Sequence, residues 1–230
     1  MVNERASRDV WIQNGLPSLA PDTMIPTDRI KERATAIAVV AEILRLHPDI
    51  TYLHYIRYHY DGDSEFDFGS VPIGVDVRKV SLDWFRLWSS MTVMESKKRY
   101  YVDSEPLEQF DGFALCSRVQ MKKGERAHIP MLDMASYLEW EFEEDLVDIR
   151  LALKPQKGYL LETDYSTHFY GINLMSDQEW ERYMRRLATK PEIDQGFIDA
   201  SLKRGYAALR LFTYPPHKTI EPSVIEVIDQ

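Results

Sequence analysis

Two pairs of apolar, strand-like segments in the second half of the chain are joined by very short connections, and this constrains the fold more than any other feature. Segments 113–121 and 127–133 are separated by Lys122-Lys123-Gly124-Glu125, and segments 159–163 and 166–173 by fewer residues still. Parallel neighbours need a crossover of a dozen or more residues, so these pairs are expected to be antiparallel. Helices are expected between and after them. Leu138, Phe142, Leu146, Ile149 and Leu153 recur at helical spacing behind a Ser136 cap, and Pro155 and Gly158 end the run. Ser176-Asp-Gln-Glu179 is a capping box opening a helix with Trp180, Met184 and Leu187 inward, and a further helix over 194–204 stops at Gly205. Strands over 206–213 and 224–228 finish the chain. The order β-β-α-β-β-α-α-β-β predicts an α+β fold, with mostly antiparallel sheet or sheets and helices packed on one face.

The first half is less regular. Residues 1–27, with Pro17, Pro21 and Pro26, lack periodicity and are expected to be irregular. Ile30, Ala34, Ile37, Ala41 and Leu44 predict an amphipathic helix capped by Thr27 or Asp28 and ended before Pro48. The aromatic and β-branched run 51–60 reads as a strand, Asp61-Gly62 as a hairpin turn, and Phe66 to Phe68 as its partner. Ser81 then caps a helix with Trp84, Phe85, Trp88 and Met91 on one face. We expect a single α+β domain over 28–230, with an N-terminal subdomain over 28–105 and a core over 106–230.

Composition narrows the function classes. The chain of 230 residues has one cysteine, Cys116, which rules out an internal disulfide and a cysteine-rich zinc site. No apolar run long enough for a leader or a membrane span is visible, so a cytoplasmic protein with no membrane partner is expected. The formal charge of −9 argues against tight unaided binding of long nucleic acid. The balance reverses locally between Gln178 and Ile220, where Arg182, Arg185 and Arg186 share a helix face. A single nucleotide or a short strand therefore remains compatible with the charge.

Several acidic clusters read as solvated surface. Asp61, Asp63, Glu65 and Asp67 lack the glycine and the bidentate glutamate of a calcium loop, since Phe66 and Pro72 stand at those positions. Glu139, Glu141, Glu143, Glu144, Asp145 and Asp148 crowd the helix 136–153, a surface suited to a protein partner, with no histidine at metal-ligand spacing. His54 and His59 sit on opposite faces of one strand unless a bulge intervenes. Cys116 reads as a buried small hydrophobe.

The informative residues come from three strands. Asp133 ends a strand just before a helix, and the period of two puts Ser166, His168 and Tyr170 on one face of another. Arg210 lies within an apolar strand and needs an anionic partner, because an unpaired buried guanidinium costs several kcal/mol. One reading is a buried Asp133–Arg210 pair in a structural or interaction protein. The other is a phosphate site, with Asp133 holding a divalent cation and Ser166, His168, Arg210 and Lys218 contacting phosphate oxygens. A hydrolase using His168 as general base is weaker, for want of a nucleophile.

The segments HIPMLDM (128–134), GYLLETDYSTHFYGINLMSDQEW (158–180) and GYAALRLF (205–212) resemble the archaeo-eukaryotic primase superfamily, and are similar to a group of its bacterial members. Its marks are an Asp-x-Asp or Asp-x-Glu strand, a small-x-His strand and a later acidic residue. The resemblance implies an RRM-like primase-polymerase core with an N-terminal α/β extension, and a nucleotidyltransferase acting in DNA replication or repair. It implies Asp133 as a Mg²⁺ or Mn²⁺ ligand, His168 and Ser166 at the triphosphate of a nucleotide, and nucleoside triphosphate or short nucleic acid as ligand. The chain departs from the pattern at Ala135 and at Arg210, and Glu162, Asp164 and Glu226 are the remaining candidates for further carboxylates. A degenerate member that binds nucleotide or nucleic acid without polymerising is the alternative.

Overall fold

A computed structural model describes residues 34–60, 73–77, 110–135, 142–164, 166–211 and 219–229. Helix α1 spans Ala36–Leu46 and buries Ala36, Val39, Val40 and Ile43. It starts later than the spacing from Ile30 predicts. Ala34 and Thr35 are drawn to the last strand instead: Val224 N donates to Ala34 O at 2.8 Å and Thr35 bridges Ser223. Thr35, with extended backbone, is the N-cap and makes no side-chain cap bond.

The strands and helices that follow are β1 (Ile50–Tyr60), β2 (Ile73–Asp76), β3 (Phe110–Met121), β4 (Arg126–His128), β5 (Met131–Asp133), α2 (Phe142–Leu153), β6 (Gly158–Glu162), β7 (Thr167–Gly171), α3 (Asp177–Leu187), α4 (Gln195–Arg204), β8 (Ala208–Arg210) and β9 (Ser223–Ile228). They form two sheets, one ordered β2-β1-β3-β4 with β8 also on β3, the other β5-β7-β6-β9. Every pairing among the described strands is antiparallel. The mixed α+β class expected from the order of elements is the one observed. The four described helices and both described sheets contribute side chains to one large apolar cluster.

The segment 127–133, expected as one strand, is two. Ile129 N still donates to Ser117 O in the first sheet, while Pro130 O already accepts from Gly171 N in the second. Proline has no N–H to give a ladder, so the run breaks there and changes sheets. Gly171 permits the crossing, since a Cβ on it would lie 2.8 Å from Pro130 Cβ. This switch delivers Asp133 to the second sheet.

Among the described residues, the strand expected over 206–213 pairs over Ala208–Arg210. At its start the partner strand bulges: Leu53 faces Val119 but His54 faces Cys116, which leaves Ser117 and Arg118 out of the β1 ladder. Ser117 instead exchanges bonds with Ala207, giving N–H to Ala207 O at 2.8 Å and receiving Ala207 N–H on Oγ at 3.0 Å.

The helix ends follow their signals. Ser176 and Glu179 complete the capping box of α3, which buries Trp180, Tyr183, Met184 and Leu187. Each such burial is worth roughly 1.5–3 kcal/mol. Asp194 caps α4 on Phe197 N, and Gly205 closes it at φ 75°. In α2 Leu146, Ile149 and Leu153 point inward. The Asp61-Gly62 turn, the strand 66–68, the helix from Ser81, the Ser136 cap and Leu138 lie outside the described residues.

Candidate functional site

Asp133 ends β5, and across the ladder its partner on β7 is His168. His168 Nε2 lies 4.0 Å from Asp133 Oδ1; the imidazole is 6% exposed and the carboxylate 27%. Ser166 sits two residues ahead of His168, just before β7, with its Oγ 3.2 Å from Thr163 Oγ1. Tyr170, two residues beyond His168, is fully buried and donates its hydroxyl to Arg210 O at 3.4 Å. The face is thus closed at Tyr170 and opens toward Asp133 and Ser166.

The other side of β5 carries residues that sequence reasoning did not single out. Met134 forms an antiparallel bridge with Ile193, flanked by Asp194 N to Asp133 O and Ala135 N to Glu192 O, both 3.0 Å. In this geometry Asp194 stands opposite Asp133, and Glu192 opposite Ala135. Met134 and Ile193, both fully buried, take the opposite face. Asp133 shares its face with its cross-strand partner His168. Glu192 and Asp194 come from the short loop between α3 and α4, and their approach depends on a tertiary bridge that no local spacing encodes.

Arg210 does not take Asp133 as its partner. Its Nη2 donates to Asp164 Oδ2 at 2.7 Å and its Nη1 to Ile220 O at 2.9 Å. Asp164 Oδ1 in turn accepts from Thr219 N, Thr219 Oγ1 and Ile220 N. Burial opposes ionisation of Asp164, but the donors from Ile220 and Thr219, with the Arg210 charge, outweigh it and hold the carboxyl below its usual range. The Asp133–Arg210 pair is therefore replaced by an Asp164–Arg210 clamp on the segment entering at Thr219, and the guanidinium expected at phosphate is committed inside the protein. Lys218 lies outside the described residues.

The other carboxylates offered by the resemblance are also accounted for. Glu226 is in an ion pair with Arg150. Glu162 pairs with Thr167 and Glu226 with Leu160, both on the sheet face opposite His168. Asp164 is consumed by the clamp.

The remaining polar candidates are structural. His54 Nδ1 is hydrogen-bonded to Arg118 O at 3.0 Å, and burial lowers its pKa. The β1–β3 ladder runs without interruption from His54 to Tyr60, and the side chain of His59 lies outside the described residues. Cys116 is wholly buried and burial pushes its thiol up to about 12, which keeps it unreactive. His128, 1% exposed, lies between Ser117 Oγ and Asp177 Oδ1, each at 3.0 Å, and stacks on Trp180. Ala207 N–H occupies Ser117 Oγ, so the hydroxyl donates to His128 Nδ1 and Nε2–H donates to Asp177. With Ser117 fully buried, this relay ties β3, β4 and α3 together and offers no nucleophile to a substrate. The acidic run 61–67, Glu139 and Glu141, and the side chains of Glu143, Glu144 and Asp145, lie outside the described residues. On the described part of α2, Val147, Asp148 and Leu151 are exposed.

The donor chemistry at Asp133 suits a hard divalent cation. Among the described residues no group of three or more His, Cys, Asp and Glu is placed to hold a metal by itself. Magnesium, however, is commonly held by one or two carboxylates, with water and substrate phosphates completing its shell. Glu192 Oε2, in the nearby loop between α3 and α4, is buried and has no hydrogen-bond partner among the described residues.

Comparison with known proteins gives one match. The sequence model of the AEP-like family, described as archaeo-eukaryotic primase 1D-like, matches residues 92–223, more than half of the chain. Among curated proteins and among solved structures, none matches. Among the described residues, no helix is long and apolar enough to cross a membrane.

Proposed function

Because the chain belongs to the archaeo-eukaryotic primase 1D-like family, we propose that it is a primase-polymerase-like protein that binds a nucleoside triphosphate on the Asp133, Ser166 and His168 face and transfers its nucleotidyl group to a short strand in DNA replication or repair. The observation that carries this reading is the cross-strand placement of Asp133 and His168, 4.0 Å apart at the open end of a buried sheet face. Asp133 would hold Mg²⁺ or Mn²⁺, which when bound neutralises charge on the transferring phosphoryl group. The buried imidazole of His168 and the hydroxyl of Ser166 donate to phosphate oxygens. Packing fixes the His168 ring before ligand arrives, so little entropy is lost on binding. Arg182, exposed on α3, and Arg186, stacked over the Tyr183 ring at 5.2 Å, supply positive charge for a strand, whereas Arg185 is held by Glu181.

Incubation with Mg²⁺ or Mn²⁺, nucleoside triphosphates and a primed template tests this directly. Extension that Asp133→Ala abolishes supports transfer. Triphosphate binding that needs His168, without extension under either metal, identifies the degenerate binder that Ala135 makes plausible. Absence of both binding and extension overturns the reading.

A further inference from the structure

We propose that Thr163 is a positioning residue of the phosphate site, holding Ser166 Oγ where it can donate a hydrogen bond to a phosphate oxygen. This rests on the reading of Ser166 as a phosphate donor beside Asp133 and His168, and adds to it a residue from the turn between β6 and β7. Thr163 is 2% exposed, and among the described residues its hydroxyl bonds to Ser166 alone. Oγ1 donates to Ser166 O at 2.7 Å, a carbonyl that also accepts Thr163 N–H at 3.0 Å. It accepts Ser166 N–H at 3.2 Å and lies 3.2 Å from Ser166 Oγ. A hydroxyl has one hydrogen and two lone pairs. The carbonyl can only accept, so it takes the Thr163 hydrogen, and Ser166 is the donor in the contact between the two hydroxyls.

In this arrangement the Ser166 hydrogen rests on Thr163. Turning it about the Cβ–Oγ bond exchanges a neutral contact of 3.2 Å for a charge-assisted bond to phosphate, which is roughly twice as strong. The oxygen itself stays in place, because Thr163 still holds Ser166 through its N–H and its carbonyl. The turn is also fixed from both sides. Next to Thr163, Asp164 accepts Arg210 Nη2, Thr219 N and Ile220 N. Next to Ser166, Thr167 O accepts Met134 N at 2.9 Å, which ties the start of β7 to the end of β5. An oxygen placed in advance loses little freedom when phosphate binds.

Calorimetric titration of the full-length protein with a non-hydrolysable ATP analogue and Mn²⁺ tests the assignment through a double-mutant cycle. Wild type is expected to bind, and Ser166→Ala to bind at least about tenfold more weakly. Thr163→Val keeps the shape and removes the hydroxyl, and is expected to weaken binding about three- to tenfold. Placed on top of Ser166→Ala it should add less than about twofold, since the threonine acts through the serine. Thr163→Ser returns the hydroxyl and should bind within about threefold of wild type, the remaining loss reflecting its freer χ1. Wild-type affinity in Thr163→Val overturns the proposal, as do losses that multiply in the double variant. Thr163→Ser binding as weakly as Thr163→Val assigns the effect to the methyl group and overturns it too. Should Thr163→Val not fold, Thr163→Cys, a weak donor and acceptor at the same place, enters the cycle under the same criteria. Wild-type affinity in Ser166→Ala, with binding lost in His168→Ala, overturns this proposal and leaves the Asp133 and His168 reading standing. No binding by wild type removes the site reading and this proposal together.

Discussion

Asp164 and Asp133 stand near the same end of the second sheet, one in the turn between β6 and β7 and the other at the end of β5, and each faces a basic side chain. Around Asp164 both oxygens are taken: Oδ2 by Arg210, and Oδ1 by two backbone N–H groups and a hydroxyl. Asp133 is 27% exposed and stands 4.0 Å from His168 Nε2 at the open end of its sheet face. A buried charge with its bonds complete is structure, because the network has no further capacity. A carboxylate at the open end of a sheet face suits a hard divalent cation with water and phosphate completing its shell. The Ser117–His128–Asp177 relay belongs with Asp164, since each donor in it has an acceptor.

That contrast can be broken by substitution. Arg210→Met leaves Asp164 buried beside an apolar chain and is expected to cost about 3–5 kcal/mol in urea unfolding. A loss below about 1 kcal/mol would place Asp164 outside the structural class. His128→Leu removes a donor and an acceptor from the relay, stranding Ser117 and Asp177, and is expected to cost about 1–3 kcal/mol.

The relay also sets an acid limit. Burial lowers the His128 pKa to about 4, so between its ordinary value of 6.5 and that value the unfolded chain binds a proton that the folded chain refuses. Stability is therefore full above about pH 6.5 and falls as the pH drops toward 4. In the His128→Leu protein this part of the acid slope should vanish. The depressed Asp164 carboxyl acts in the same direction at lower pH, its contribution being lost as protonation reaches the folded-state value.

At the other extreme, Asp133→Asn should change stability by less than about 0.5 kcal/mol in either direction, while removing Mn²⁺-dependent binding and extension. Unfolding of that variant would move Asp133 into the structural class and erase the contrast.

Local signals predicted local outcomes well. Ser176 and Glu179 cap α3, Asp194 and Gly205 bound α4, and Gly124 turns between β3 and β4 at φ 80°. Each depends on residues within a few positions of one another. The failures share one cause, a distant backbone partner. Thr35 left the expected helix for Ser223, the strand through 127–133 split because Pro130 gives its carbonyl to Gly171 in the second sheet, and β8 starts at Ala208 because Ala207 pairs with a bulged Ser117. The site divides in the same way. The period of two placed Ser166, His168 and Tyr170 on one face, whereas the partner of Arg210 proved to be Asp164.

The sequence by itself determined the element types, the antiparallel pairing forced by short turns, the helix caps, and the family, because motifs and propensities are carried by contiguous residues. Only the tertiary structure decided that Asp133 enters the second sheet beside His168, that Arg210 closes a clamp, and that Glu192 stands opposite Ala135. Those outcomes follow from which backbone groups find partners across long separations. Such pairing is settled by burial of the opposite faces, and no spacing within a single segment records it.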